Sequence, residues 1–278
     1  MDQRKKKELE RLAYQLRITG LRMVQEAHSG HIGGAFSLSE IMAVLYFDKM
    51  NIRPKEPDWE ERDRFVLSKG HATVALYPVL AHRGFFPLET LKTFRKLEGE
   101  LSGHAEMRHV PGVDMSTGSL GQGFSAAVGM AEAGKLSGRS YTTYAVLGDG
   151  EIAEGQIWEA CMFAAARGLD NLTGILDSNK VQLDGTVQEV LDTGDLWAKF
   201  ESFGFYVQSI DGHKVEEIAG AIDKAKACKG KPSMIIANTV KGKGVSFMEG
   251  NHAWHGKTPD EKQFAQAFEE LEAALKEL

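Results

Sequence analysis

Five short runs rich in β-forming residues, at 64–67, 144–147, 172–177, 205–210 and 233–239, recur along the chain with helical patterns between them. This alternation constrains the fold more than any other feature. A parallel connection needs a crossover long enough to hold a helix, so such strand–helix–strand units build a parallel sheet covered by helices on both faces. The predicted class is therefore α/β. In open sheets of this kind a ligand lies in the crevice beyond the carboxyl ends of the strands. The first three runs lead into "SKGHA" (68–72), "GDG" (148–150) and "DSNK" (177–180), and these loops are expected to converge.

No internal repeat, low-complexity tract or Pro/Gly-rich linker divides the chain, so one domain over 1–278 is expected. A net charge of −6 offers no attraction to nucleic acid or to an anionic membrane. The basic start "MDQRKKK" continues into a charged amphipathic pattern without an apolar leader core, and no run approaches transmembrane length. Cys161 and Cys228 are isolated, which argues against a disulfide framework or a thiolate zinc site and fits a cytoplasmic location.

Leu9, Leu12, Ala13, Leu16, Leu21 and Val24 recur at helical spacing, predicting a long first helix that breaks at "SGHIGGA" (29–35) through Gly30, Gly33 and Gly34. Ser37 and Glu40 have capping-box spacing, with Phe36 and Ile41 as a staple, so a second helix is expected to start there. The last segment reads as a packing helix with Phe264, Phe268 and Leu271 on its apolar face.

Asp149 sits between two glycines at the predicted end of a buried strand, where an acid is costly unless something compensates it. It could cap the following helix. Asn179, one crossover further on, suggests instead a pair of oxygen ligands at neighbouring strand ends, which suits Mg²⁺ bridged to a phosphate. Gly148 and Gly150 would let the backbone approach that ligand.

The stretch "GDGEIAEGQIWEACMFAAARGLDNLTGILDSNKVQLDG" (148–185) strongly resembles the thiamine diphosphate motif of transketolases. "SGHIGGA" (29–35), "LSKGHA" (67–72), "SGHAE" (102–106) and "STGSLGQG" (116–123) resemble the other blocks of that family, in its order and over nearly the whole chain. The resemblance implies that Asp149 and Asn179 by side chain, and Val181 by its carbonyl, bind Mg²⁺ or another divalent cation such as Ca²⁺ or Mn²⁺. It implies that Gly118, Ser119 and Leu120 lie along the cofactor, that His255 in "NHAWHG" stands near the diphosphate, and that His31, His71 and His104 line the sugar channel. Glu154 matches an acid of a carboxylate network that crosses a subunit interface. Ser178-Asn179 stands where many thiamine enzymes have Asn-Asn; the ligand is the second of the pair.

The implied activity is ketol transfer between sugar phosphates, as in the pentose phosphate pathway. The matching blocks run from Ser29 to His255, and only a helix-sized segment follows. The second α/β domain, which in transketolases holds the aminopyrimidine ring and supplies the activating glutamate, is therefore expected on a separate C-terminal subunit, in an α2β2 assembly. The alternatives are an alpha subunit of another thiamine diphosphate enzyme, such as a 2-oxoacid decarboxylase component that shares GDG, and a non-catalytic diphosphate-binding module. His252 and His255 form HxxH without the HExxH helix of zinc hydrolases, and "GNHAWHGKT" has one residue too many for a P-loop. "GSLGQG" lacks dinucleotide-fold glycine spacing, and Lys241 with Lys243 could help attract an anionic substrate, although a solvated pair is the commoner meaning of such a pattern.

Overall fold

The computed structural model describes residues 1–278. In chain order the helices and strands are α1 (Gln3–Ala27), α2 (Gly33–Phe36), α3 (Ser39–Val44), β1 (Arg64–Leu67), α4 (Thr73–Arg83), α5 (Gln122–Leu136), β2 (Thr143–Gly148) and α6 (Gly155–Ala166). They continue with β3 (Leu172–Ser178), α7 (Val187–Leu191), α8 (Leu196–Ser202), β4 (Tyr206–Asp211), α9 (Val215–Ala227), β5 (Ser233–Asn238) and α10 (Glu261–Glu277). All five expected strands are present, and they form one parallel sheet in the order β1-β2-β3-β5-β4.

Successive strand residues point to opposite faces, and both faces are apolar. Tyr144 and Val146 of β2, with Ile175 of β3 and Ile235 of β5, pack in one core beneath α1, α3, α4, α9 and α10. Ala145, Leu147, Leu172, Leu176 and Met234 pack in a second core with α5, α6 and α8. Helices thus cover both faces, as the alternation predicted. The final helix forms with Phe264 and Leu271 buried, capped by Asp260 and Gln263.

Two local expectations are corrected. The first helix stops earlier than the glycines, at His28, which adopts the left-handed conformation at φ 49°. Gly33 does not break a helix but begins α2, and its lack of a side chain lets α2 approach the Trp254 carbonyl, which a Cβ there would meet at 2.7 Å. The capping box of Ser37 and Glu40 does not form either. Ser37 Oγ donates to Asp177 Oδ2 at 2.6 Å, and Glu40 accepts two hydrogen bonds from the buried guanidinium of Arg17, at 2.7 and 2.6 Å. Long-range charged partners outweigh the local motif.

Candidate active site

At the carboxyl edge of β1, β2 and β3 the three loops converge on a cavity of about 290 Å³. Asp149 follows β2 directly and is 3% exposed. Its Oδ2 accepts the Lys180 N–H at 2.5 Å, a contact made by a chain turn that holds Lys180 at φ 66°. Burial, and then the nearby charge of Asp177, push the Asp149 carboxyl up to about 6, against the pull of that N–H. Asn179 Oδ1 accepts the Val181 N–H at 3.1 Å, and its Nδ2 donates to Asp177 Oδ2 at 3.0 Å. Asp149, Asn179 and Val181 all line the cavity.

Beneath that edge lies a fully buried carboxylate, Asp177, which accepts from Lys69 Nζ, Ser37 Oγ, Thr239 Oγ1 and Asn179 Nδ2. Burial alone would raise its pKa; the Lys69 charge and these donors outweigh it and hold the group ionised below the usual range. Glu151 ties three loops together. Its Oε1 accepts from Ser68 Oγ at 2.5 Å and the Gly121 N–H at 2.9 Å, while Oε2 accepts the Gly148 N–H at 3.0 Å. Gly70 allows the loop after β1 to press on the segment that precedes α5, since a Cβ there would lie 2.4 Å from Thr117.

Four imidazoles form another part of the wall. Ring centroids are 5.2 Å apart for His31 and His71, 6.0 Å for His31 and His104, 5.6 Å for His31 and His255, and 5.0 Å for His71 and His255. Burial, reinforced by neighbouring cations, lowers His31 to about 4, His71 to about 2 and His255 to about 3, and lowers His104 as well. All four are therefore neutral at pH 7 and each offers one N–H donor and one acceptor.

Gly118, Leu120, Gly148 and Gly150 also line the cavity. Ser119 and Glu154 do not: both are exposed, beside it rather than in it. Sequence reasoning gave no role to Lys69, Glu151 or Asp177, and it misread Lys241. Far from solvated, Lys241 is 1% exposed. Its Nζ donates to the Val181 carbonyl at 3.0 Å and stands 2.9 Å from His255 Nδ1. Burial, and then the charge of Lys69, lower its ammonium to about 8. No local sequence signal marks it: Lys241 is buried by the turn at Gly242, at φ 74°, whose N–H bonds to the Gly33 carbonyl and pins the preceding residue against the "SGHIGGA" loop.

The donor set fits a hard divalent cation. Asp149 supplies a carboxylate, Asn179 an amide oxygen and Val181 a carbonyl, with no thiolate nearby. A carbonyl oxygen has two lone pairs, so the Lys241 ammonium leaves one at Val181 for a metal.

The parallel sheet, with an oxygen-donor edge facing neutral imidazoles at the carboxyl ends of its strands, defines an α/β protein with a site suited to a metal-bound anion beside a polar substrate. Residues 9–274 match the family described as "Transketolase, thiamine diphosphate binding domain". The chain belongs to the transketolase family, as its N-terminal, thiamine diphosphate-binding part. It is 52% identical over 243 residues to the 6-deoxy-6-sulfo-D-fructose transketolase subunit SqwG of Clostridium sp. (strain MSTE9), covering 87% of this chain and 88% of that protein. It is 40% identical over 256 residues to an apulose-4-phosphate transketolase subunit of Phocaeicola vulgatus, covering 92% and 91%. The solved transketolase of Campylobacter jejuni superposes with a TM-score of 0.89 at 37% identity, covering 97% of this chain but 45% of that one. The expected fold class, family and transferase character are borne out.

Proposed function

We propose that this chain is the N-terminal subunit of a two-polypeptide transketolase, moving a two-carbon ketol unit from a ketose to an aldose, sugars that carry a phosphate or another anionic group. The observation that carries this reading is the cavity itself, in which Asp149 and Asn179 share one enclosure with His31, His71, His104 and His255. That combination suits a metal-bound diphosphate at one side and a polyhydroxylated substrate at the other.

Asp149, Asn179 and Val181 would hold Mg²⁺, or Ca²⁺ or Mn²⁺, and through it the diphosphate. Gly118, Ser119, Leu120, Gly148 and Gly150 would lie along the cofactor, and the Lys241 ammonium would add a positive charge beside it. Bound thiamine diphosphate supplies an electron sink for the two-carbon fragment. The protein's part is proton transfer and orientation. With the anionic diphosphate beside it to raise its basicity, one imidazole would take a proton from a sugar hydroxyl through its bare nitrogen, and another would donate its N–H to an oxygen on which negative charge grows. His71 and His104 serve the sugar in this reading, and His255 stands between sugar and diphosphate.

Support for a split enzyme comes from the relatives named as subunits, which align with this chain over most of both lengths. A C-terminal subunit would complete the cofactor site in an α2β2 assembly, with the exposed Glu154 facing a partner carboxylate. The names of those relatives point to a sugar with an anionic end, phosphate or sulfonate, as the substrate class. One domain over 1–278 and a cytoplasmic setting accompany the reading. Cys161 and Cys228 are free, and no helix is long and apolar enough to cross a membrane. The test is reconstitution: cofactor binding and ketol transfer are measured for the chain with and without a C-terminal transketolase subunit.

A further inference from the structure

Arg95 is one of three residues other than glycine held at positive φ, at 56°, a region that L residues adopt at a cost. Its N–H donates to the Leu101 carbonyl at 2.8 Å. The side chain reaches the rim of the cavity, where Nη1 donates to Ser29 Oγ at 2.8 Å and Nη2 stands 3.2 Å from His31 Nδ1. Gly103 makes room for it, since a Cβ there would lie 2.7 Å from Nε. That Nε is buried without a partner. The strain and the orphan donor are both unfavourable, and they are retained beside an imidazole of the cavity.

A guanidinium has only donors. Its contact with Nδ1 therefore requires a bare lone pair on that nitrogen, and the neutral His31 ring must carry its proton on Nε2. His31 is the hub of the cluster, the one ring within 6.0 Å of all three others. We propose that Arg95 is a positioning residue that fixes His31 in the Nε2–H tautomer, so that the central imidazole presents a hydrogen-bond donor to the sugar. Burial, and then the Arg95 charge, keep the ring unprotonated near neutral pH. The donor role rests on reading the cavity as a sugar site; the tautomer does not.

His213 provides a contrast within the same chain. Its Nε2 accepts the Val240 N–H at 2.9 Å, and its Nδ1 lies 3.0 Å from Glu40 Oε2, so the opposite tautomer, Nδ1–H, is imposed there.

The experiment is a ring ¹⁵N–¹H correlation spectrum of the full chain labelled in histidine, at pH 7.5, with His31→Gln identifying the His31 signals. The expected wild-type result is Nε2–H at His31 and Nδ1–H at His213. In Arg95→Met the His31 pattern moves to a mixture of tautomers or to Nδ1–H, while the His213 pattern persists and reports an intact fold. Ser29→Ala, which frees one end of the guanidinium, shifts His31 the same way to a smaller extent. With a C-terminal subunit present, Arg95→Met lowers kcat by about tenfold or more, the size of effect lost with one oriented donor. An Nδ1–H pattern at His31 in the wild type, or an unchanged Nε2–H pattern in Arg95→Met, overturns the proposal. A tautomer shift with unchanged kcat overturns the donor role and leaves the tautomer assignment standing.

Discussion

The ammonium of Lys69 rests on the carboxylate of Asp177, with side chains 3% and 0% exposed, and joins the loop after β1 to the end of β3. Removing either partner leaves a charge buried alone. Lys69→Met and Asp177→Asn are each expected to lower stability by about 3–5 kcal/mol. The double variant leaves no uncompensated charge, so its loss should fall short of the sum of the singles by well over the additivity error of about 0.5 kcal/mol. Urea unfolding of the four proteins checks this, and strict additivity would count against the pair.

Asp149 is a case of function opposed to stability. Its pKa of about 6 in the folded chain lies above the ordinary carboxylate value of 3.8. A raised pKa favours folding below the unfolded value and loses that advantage as pH rises through the folded one. At pH 7.5 the ionised group therefore destabilises the metal-free chain. Asp149→Asn should raise its stability by up to about 3 kcal/mol and abolish Mg²⁺-dependent thiamine diphosphate binding. Asn179→Ala should abolish binding without that gain. Calorimetric titration of the reconstituted enzyme measures the affinity, and unaltered binding in both variants would remove the metal assignment.

His71→Ala and His104→Ala separate sugar chemistry from cofactor binding. Neither ring supplies an oxygen ligand, so cofactor affinity should persist while turnover falls by about 10²-fold or more. Steady-state kinetics with a ketose donor reads the effect. Full turnover and an unchanged KM in both would contradict the channel role.

Much of the fold was legible because it rests on repeated local patterns. The strand runs were located within a residue or two, since a parallel sheet buried on both faces makes each strand a nearly continuous apolar run. Asp149 and Asn179 were legible because glycines and strand ends mark them. Lys69, Asp177 and Lys241 were not, although two of them lie inside the motif blocks: their roles depend on partners far away in sequence, at separations a local pattern does not encode. Ser37 and Glu40 failed for the same reason. Their spacing is that of a cap, but Asp177 and Arg17 are better partners than the helix start. Lys241 and Lys243 read alike in "VKGKG"; only the docking of that turn against Gly33 buries one and leaves the other beside Glu249.

Glu40 gives the fold a pH dependence of its own. Burial works to raise its pKa, but Arg17, then the hydrogen bond from His213, bring it down to about 2. A depressed pKa stabilises the fold above the unfolded value of 4.5, and that stability is lost as pH falls from there towards 2. The full contribution is on the order of 3 kcal/mol. Urea midpoints of the wild type and Glu40→Gln should differ most at pH 7 and draw together below about pH 4.5. A constant gap across that range would show that the pair contributes no such linkage.

The account's central claim is that this chain forms one side of a cofactor site completed by another subunit. It is tested most directly by assaying ketol transfer, in saturating thiamine diphosphate and Mg²⁺, for the purified chain alone and after titration with a C-terminal transketolase subunit. The expected result is no turnover alone and activity that rises with the added subunit to a stoichiometric plateau. Robust turnover by the chain with no other protein present would contradict it.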